Sequence, residues 1–212
     1  MTSLLDRDWL VIDGRLEQLD FPGQADDRSP AELVDRIVNT FSAADDWVFD
    51  PFAGLGSTLI AAQKLGRRAI GFERDTQRAE WVRDRLQPPN RVVHAAIETM
   101  SEHDLPPFTL VCTSPPYPMV RLEDDPWGPT YFEDMQAIFE RIGHVLTPDG
   151  KIVVEVSNIL TKDGFRPLVG QMAATLGEVL RLEREVIRIN SSDHPAGPGV
   201  GHSSLLVFST RS

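Results

Sequence analysis

The chain has 212 residues, 41% hydrophobic and 25% charged, and its 21 Lys+Arg against 32 Asp+Glu give a net charge of −11. That profile suits one soluble globular domain; no apolar run approaches the roughly 18 residues of a membrane span, and the acidic total argues against strong non-specific binding to DNA. Cys112 stands alone, which excludes an intrachain disulfide and a multi-cysteine metal site, and an acidic start without a basic-then-apolar stretch predicts a cytoplasmic protein.

Residues 1–28 read as an irregular N-terminal segment, with a short hairpin expected around Asp13-Gly14; residues 29–212 read as a single domain. Ser29-Pro30 predicts a helix start, Ser as the cap and Pro at the first helical position, and Leu33, Ile37, Val38 and Phe41 follow at helical spacing. From residue 47 strands and helices alternate. Trp47-Val48-Phe49 is a short strand ending at Asp50-Pro51, a helix covers 57–65, and Arg68 to Phe72 forms a strand that ends in Glu73. Asp75 caps the next helix, which Pro88-Pro89-Asn90 closes, and Arg91 to His94 is a third strand. Phe108 to Cys112 is a fourth strand, leading directly into Thr113-Ser114-Pro115-Pro116-Tyr117. Tyr131, Met135, Ile138, Phe139, Ile142, Val145 and Leu146 then share a helix face. Thr147 to Gly150 turns into a strand over Lys151 to Val156, and Leu168 to Val179 is helical. Two last strands, near 182–189 and 203–209, form an antiparallel hairpin at one edge. The alternation predicts an α/β fold, a mostly parallel sheet with helices on both faces.

The segment Asp50-Pro51-Phe52-Ala53-Gly54-Leu55-Gly56-Ser57-Thr58 lies between a strand and a helix. Two glycines permit a tight turn and close approach of a ligand, and the helix start presents free N–H groups. A phosphate-binding P-loop is excluded because no Gly-Lys-Ser/Thr follows, and a dinucleotide fingerprint because its third glycine is Leu59. A plain glycine-rich turn remains the bland alternative. The segment resembles the first motif of class I S-adenosylmethionine methyltransferases, in the form used by DNA amino-methyltransferases. The resemblance implies a Rossmann-like class I methyltransferase fold and S-adenosyl-L-methionine as cofactor. It further implies that the Gly54–Gly56 turn, with Phe52, Ser57 and Thr58 beside it, passes under the cofactor's methionine part, that Asp50 lies near its amino end, and that Glu73 takes the ribose hydroxyls. A carboxylate suits that last task because it accepts from both hydroxyls at once.

Ser114-Pro115-Pro116-Tyr117 is the most specific signal in the chain. Two prolines after a buried strand stop pairing and stiffen the backbone, leaving carbonyls free to accept; the plain alternative is a stiff turn or a proline-rich ligand. The four residues resemble the catalytic motif of the amino-methyltransferases. The chemistry asks for such residues, since an exocyclic amine conjugated to a ring is a poor nucleophile. Acceptance of both N–H hydrogens, by the Ser114 hydroxyl and the Pro115 carbonyl, pushes the nitrogen toward tetrahedral geometry and aims its lone pair. Tyr117 is expected to stack on the target ring. Serine at the first position leans toward the cytosine-N4 branch of the family over the adenine-N6 branch.

The remaining features add less. Ser29 to Val34 resembles the family's N-terminal cofactor motif, and Gly201 to Phe208 its closing strand. His94, His103, His144, His194 and His202 show no ligand spacing, so no metal is expected. Glu123 to Trp127 reads as a solvated loop over the pocket. Target recognition has little room beyond residues 1–28 and the loops 118–130 and 190–202, so a partner subunit or a homodimer is a further expectation. The favoured substrate is a DNA base; an RNA base, a small molecule or protein amide, and a non-catalytic cofactor-binding subunit are the alternatives.

Overall fold

A computed structural model describes residues 4, 6–23, 25, 27–117, 128–161, 164–191 and 201–211. Residues 118–127, including the Glu123 to Trp127 expected as a loop, and residues 192–200, including His194, lie outside these residues.

Strand β1 (Trp9–Ile12) precedes helix α1 (Ala31–Phe41). The alternating part follows as β2 (Trp47–Asp50), α2 (Ser57–Lys64), β3 (Arg68–Glu73), α3 (Thr76–Arg83), β4 (Arg91–His94) and β5 (Phe108–Thr113), with a 3₁₀ turn over Ile97–Glu102. Then come α4 (Tyr131–Gly143), β6 (Leu146–Val156), the small hairpin β7 (Ile159–Thr161) and β8 (Gly164–Arg166), α5 (Leu168–Gly177), β9 (Leu180–Asn190) and β10 (His202–Thr210). The main sheet runs β1-β9-β10-β6-β5-β2-β3-β4, and every pairing is parallel except the two made by β10. The mostly parallel sheet and its antiparallel β9–β10 hairpin agree with the pattern in the sequence.

Both faces of the sheet are covered. Leu33, Ile37, Leu59, Ala62 and Val82 bring α1, α2 and α3 onto one face, where they meet Val48, Leu110, Val153 and Val207. Met135, Phe139, Met172 and Leu176 bring α4 and α5 onto the other, against Phe49, Phe72, Val154 and Phe208. At the β1 end the second face is bare: Trp9, Val11, Ile187 and Ile189 lie side by side in register and stay 40–49% exposed.

Four local expectations change. No hairpin forms around Asp13-Gly14; Trp9 to Ile12 instead pairs in parallel with β9, so the β9–β10 hairpin is one strand in from the edge. Ser29 does not cap α1. Pro30 holds the cap position, its carbonyl accepting from Leu33 and Val34, while the Ser29 hydroxyl donates to Glu155. Helix α4 ends at Gly143; Val145 and Leu146 continue along the same apolar cluster, which explains why they keep helical spacing with it. Thr147 to Gly150 is no free-standing turn but a bulge within β6: Phe108 pairs with Leu146, then Leu110 with Lys151.

Candidate functional site

Strand order reverses between β2 and β5, and open α/β sheets hold ligands outside the carboxyl ends of strands at such a switch. The two singled-out motifs occupy those two ends. After β2 the backbone turns back through Gly54 (φ 53°) and Gly56 (φ 73°) into α2, closed by a Gly56 N–H to Ala53 carbonyl bond of 2.7 Å. A Cβ on Gly56 would meet Val82 Cγ1 at 2.8 Å, so glycine is required both by conformation and by the packing of α3. The Gly54 N–H donates to Glu73 Oε2 at 2.8 Å, and the Asp75 N–H to Glu73 Oε1 at 2.7 Å. The end of β3 is thereby tied to the glycine turn.

Asp50, only 4% exposed, lies where the two motifs touch. Its Oδ1 accepts the Thr113 hydroxyl at 2.7 Å and the Phe52 N–H at 3.1 Å. Burial raises its pKa to about 6, against the pull of these hydrogen bonds. Burial likewise raises Glu73, against the pull of its two backbone donors, and pushes the Cys112 thiol up. Thr58 turns its hydroxyl to the Cys112 carbonyl at 3.1 Å, joining α2 to β5.

A cleft with about 520 Å³ of empty space, open to solvent, runs between these ends. Asp50, Phe52, Gly54, Ser57, Thr58 and Ser114 line it. Gly56 is turned away against Val82, and Glu73 stands beyond the glycine turn, so neither is on its wall. Pro115 is buried, Pro116 exposed, and Tyr117 half-buried against the α4/α5 core; none of the three lines the cleft. The Tyr117 hydroxyl accepts the Ser157 N–H at 2.9 Å, which fixes the ring against the end of β6, and burial followed by the charge of Glu155 raises its pKa.

Other residues reach the cleft. Asp27, Arg28 and Ser29 form one wall, Ser29 opening the segment that resembles the N-terminal cofactor motif, and Glu155 and Arg78 bond to that wall. Ser29 had a local signal, the Ser-Pro pair. Glu155 had only a weaker one, a carboxylate inside the apolar run Ile152 to Val156. Among the described residues no three His, Cys, Asp or Glu side chains are placed to hold a metal ion, and no helix is long and apolar enough to cross a membrane.

This architecture recurs in solved proteins. A TehB-like S-adenosylmethionine-dependent methyltransferase from Corynebacterium glutamicum superposes with a TM-score of 0.57 at 16% identity, over 84% of this chain and 87% of that one. A precorrin-6y C5,15-methyltransferase from Geobacter metallireducens superposes with a TM-score of 0.59 at 17% identity, over 91% and 95%. The fold is that of the S-adenosylmethionine-dependent methyltransferases. Within this methyltransferase fold, residues 20–84 match the DNA methylase family profile. The type II methyltransferase M.MthZI of Methanothermobacter thermautotrophicus is 44% identical over 57 residues, 27% of this chain and 16% of its own length. M2.DpnII of Streptococcus pneumoniae is 34% identical over 68 residues, 32% and 25% respectively. The matched stretch thus spans a quarter or less of these relatives. The family match takes in the glycine turn and Glu73 and stops before Ser114.

Proposed function

We propose that the chain is an S-adenosylmethionine-dependent methyltransferase that methylates the exocyclic amine of a DNA base, cytosine N4 ahead of adenine N6. The observation that carries this reading is the entry of Ser114 into the same cleft as the Gly54 turn, from the opposite side of the strand-order switch. The DNA methylase match over residues 20–84 supports the substrate class. Recognition of the target sequence is assigned to a partner subunit or a second copy of the chain.

The residues present fit the cofactor. The turn is glycine where a side chain would strain the backbone, and Glu73, assigned to the ribose, retains acceptor capacity after its two backbone bonds. When bound, the cofactor supplies an electrophilic methyl group on a sulfonium. The chain's own part is alignment. The Ser114 hydroxyl and the Pro115 carbonyl accept the two amine hydrogens, concentrating the nitrogen lone pair on the open side. Pro115 and Pro116 hold those acceptors at a fixed spacing. Such preorganised acceptors need no rearrangement as positive charge moves onto the nitrogen. Tyr117, pinned through its hydroxyl at the end of β6, is assigned the stacking role beside the base, next to rather than on the wall of the cleft.

The test is methyl transfer from labelled S-adenosylmethionine to genomic DNA and total RNA in parallel, followed by digestion to nucleosides and mass identification. Label in N4-methylcytosine is the expected result, and label in N6-methyladenine would move the branch. Label confined to RNA, or absent from both pools while the cofactor binds, would overturn the DNA substrate and point to an RNA base or a small amine or amide.

A further inference from the structure

Four segments distant in sequence converge on one buried carboxylate. Glu155, at the carboxyl end of β6, is 8% exposed, and Arg188 of β9 is 5% exposed. Arg188 Nε stands 3.2 Å from Glu155 Oε1. The Ser203 hydroxyl of β10 donates to that same oxygen at 2.7 Å and accepts from Arg188 Nε at 2.7 Å. Arg188 Nη1 donates to Asn190 Oδ1 at 2.9 Å. The other oxygen, Glu155 Oε2, accepts the Ser29 hydroxyl at 2.5 Å.

Burying an ion pair stabilises a fold little, because desolvation offsets the attraction; apolar residues of similar volume often do as well or better. What this pair does is geometric. Arg188 and Ser203 fix one oxygen of Glu155, leaving the other to hold Ser29 at the cleft. Ser29 and Asp27 belong to one cleft wall, and Asp27 is held from the far side by Arg78 at 2.9 Å. The wall is therefore tied at both ends, to β6 and to α3. The wall lines the same cleft as Asp50, Ser57 and Thr113, whereas Glu73, the residue assigned to the ribose, is not part of that lining.

We infer that the Glu155–Arg188 pair is a positioning device: through Ser29 it sets the wall that meets the methionine end of the cofactor. The inference rests on the methyltransferase reading above. It gives the C-terminal hairpin a part in cofactor binding, since β9 and β10 supply Arg188 and Ser203.

The experiment compares calorimetric affinities for S-adenosylmethionine and for 5′-methylthioadenosine, which keeps the nucleoside and sulfur but lacks the amino-acid end. Two variants are used: Ser29→Ala, which leaves the ion pair intact, and the double variant Glu155→Leu with Arg188→Met, which replaces the pair by apolar side chains. Each is expected to bind S-adenosylmethionine on the order of 10-fold more weakly, as for loss of a hydrogen bond to a charged group. Affinity for 5′-methylthioadenosine should change less than about 2-fold on the same grounds, since that ligand does not reach the wall. Adding Ser29→Ala to the double variant should cost nothing more, and Ser29→Thr should restore most of the affinity. Unchanged S-adenosylmethionine binding in the folded variants, or an equal loss for both ligands, overturns the inference and leaves the methyltransferase reading standing. A wild-type chain that binds neither ligand overturns both. Should the double variant fail to fold, Ser29→Ala decides alone.

Discussion

The carboxyl group of Asp50 sits 4% exposed at the meeting point of β2, the glycine turn and β5, where the Thr113 hydroxyl and the Phe52 amide satisfy one of its oxygens. Its pKa of about 6 in the fold lies above the ordinary 3.8. With the folded pKa the higher, the fold holds a proton that the unfolded chain has already released. Asp50's contribution to stability is therefore full below about pH 4, falls as pH rises through about 6, and is constant above; the loss is on the order of 2–3 kcal/mol. Asp50→Asn keeps an oxygen for both donors and carries no charge to bury. We expect urea unfolding of the unliganded Asp50→Asn variant to give higher stability than wild type at pH 8, by up to that amount, and no advantage at pH 4. Equal differences at both pH values would mean that the carboxyl titrates normally. The fold thus keeps a carboxylate that lowers its stability above about pH 6.

Among the elements, α3 gives the plainest case of a local signal realised. Asp75 caps it, Oδ1 accepting the Arg78 N–H at 2.9 Å, as its place before the helix predicts. Asp75→Ala should cost about 1 kcal/mol in chemical denaturation while S-adenosylmethionine affinity holds, because the backbone amide that serves Glu73 survives. A large loss of affinity would show that the cap, and not only the amide, holds Glu73 in place for the ribose role proposed for it. The strands and α-helices from Trp47 to Thr113 are legible for the same reason, as short apolar runs and capped or glycine-bounded helices, although α3 ends at Arg83, short of the prolines expected to close it, and the 3₁₀ turn over Ile97–Glu102 left no signal. Elements whose shape depends on a distant partner were not legible. Trp9 to Ile12 becomes a strand only because Ile187 to Asn190 lies beside it. Leu146 leaves the helical face because Phe108 offers it a pairing. In the site, Ser114 and the glycine turn announce themselves by residue type and spacing. Glu155 and Arg188 do not, since only the register of three strands brings them together.

For the whole molecule, charge is the governing quantity. A net charge of −11 leaves few cations to neutralise phosphates, and Arg188 and Arg78 are committed to Glu155 and Asp27. With each phosphate contact contributing about −0.9 to the slope of log K against log salt, we expect a slope between about −1 and −3 for a DNA duplex. Fluorescence anisotropy from about 50 to 200 mM salt would measure it. A slope near −7 would reveal a basic surface despite the net charge of −11. The pairing of β1 with β9 governs something else, the order in which the molecule can be completed. Trp9 precedes its strand partner Ile187 by most of the chain, and Ser29 precedes both the carboxylate it binds and that carboxylate's anchor, Arg188. Both contacts need β9 in place, so the cleft wall can be settled only after that strand has been made, later than β2 to β5.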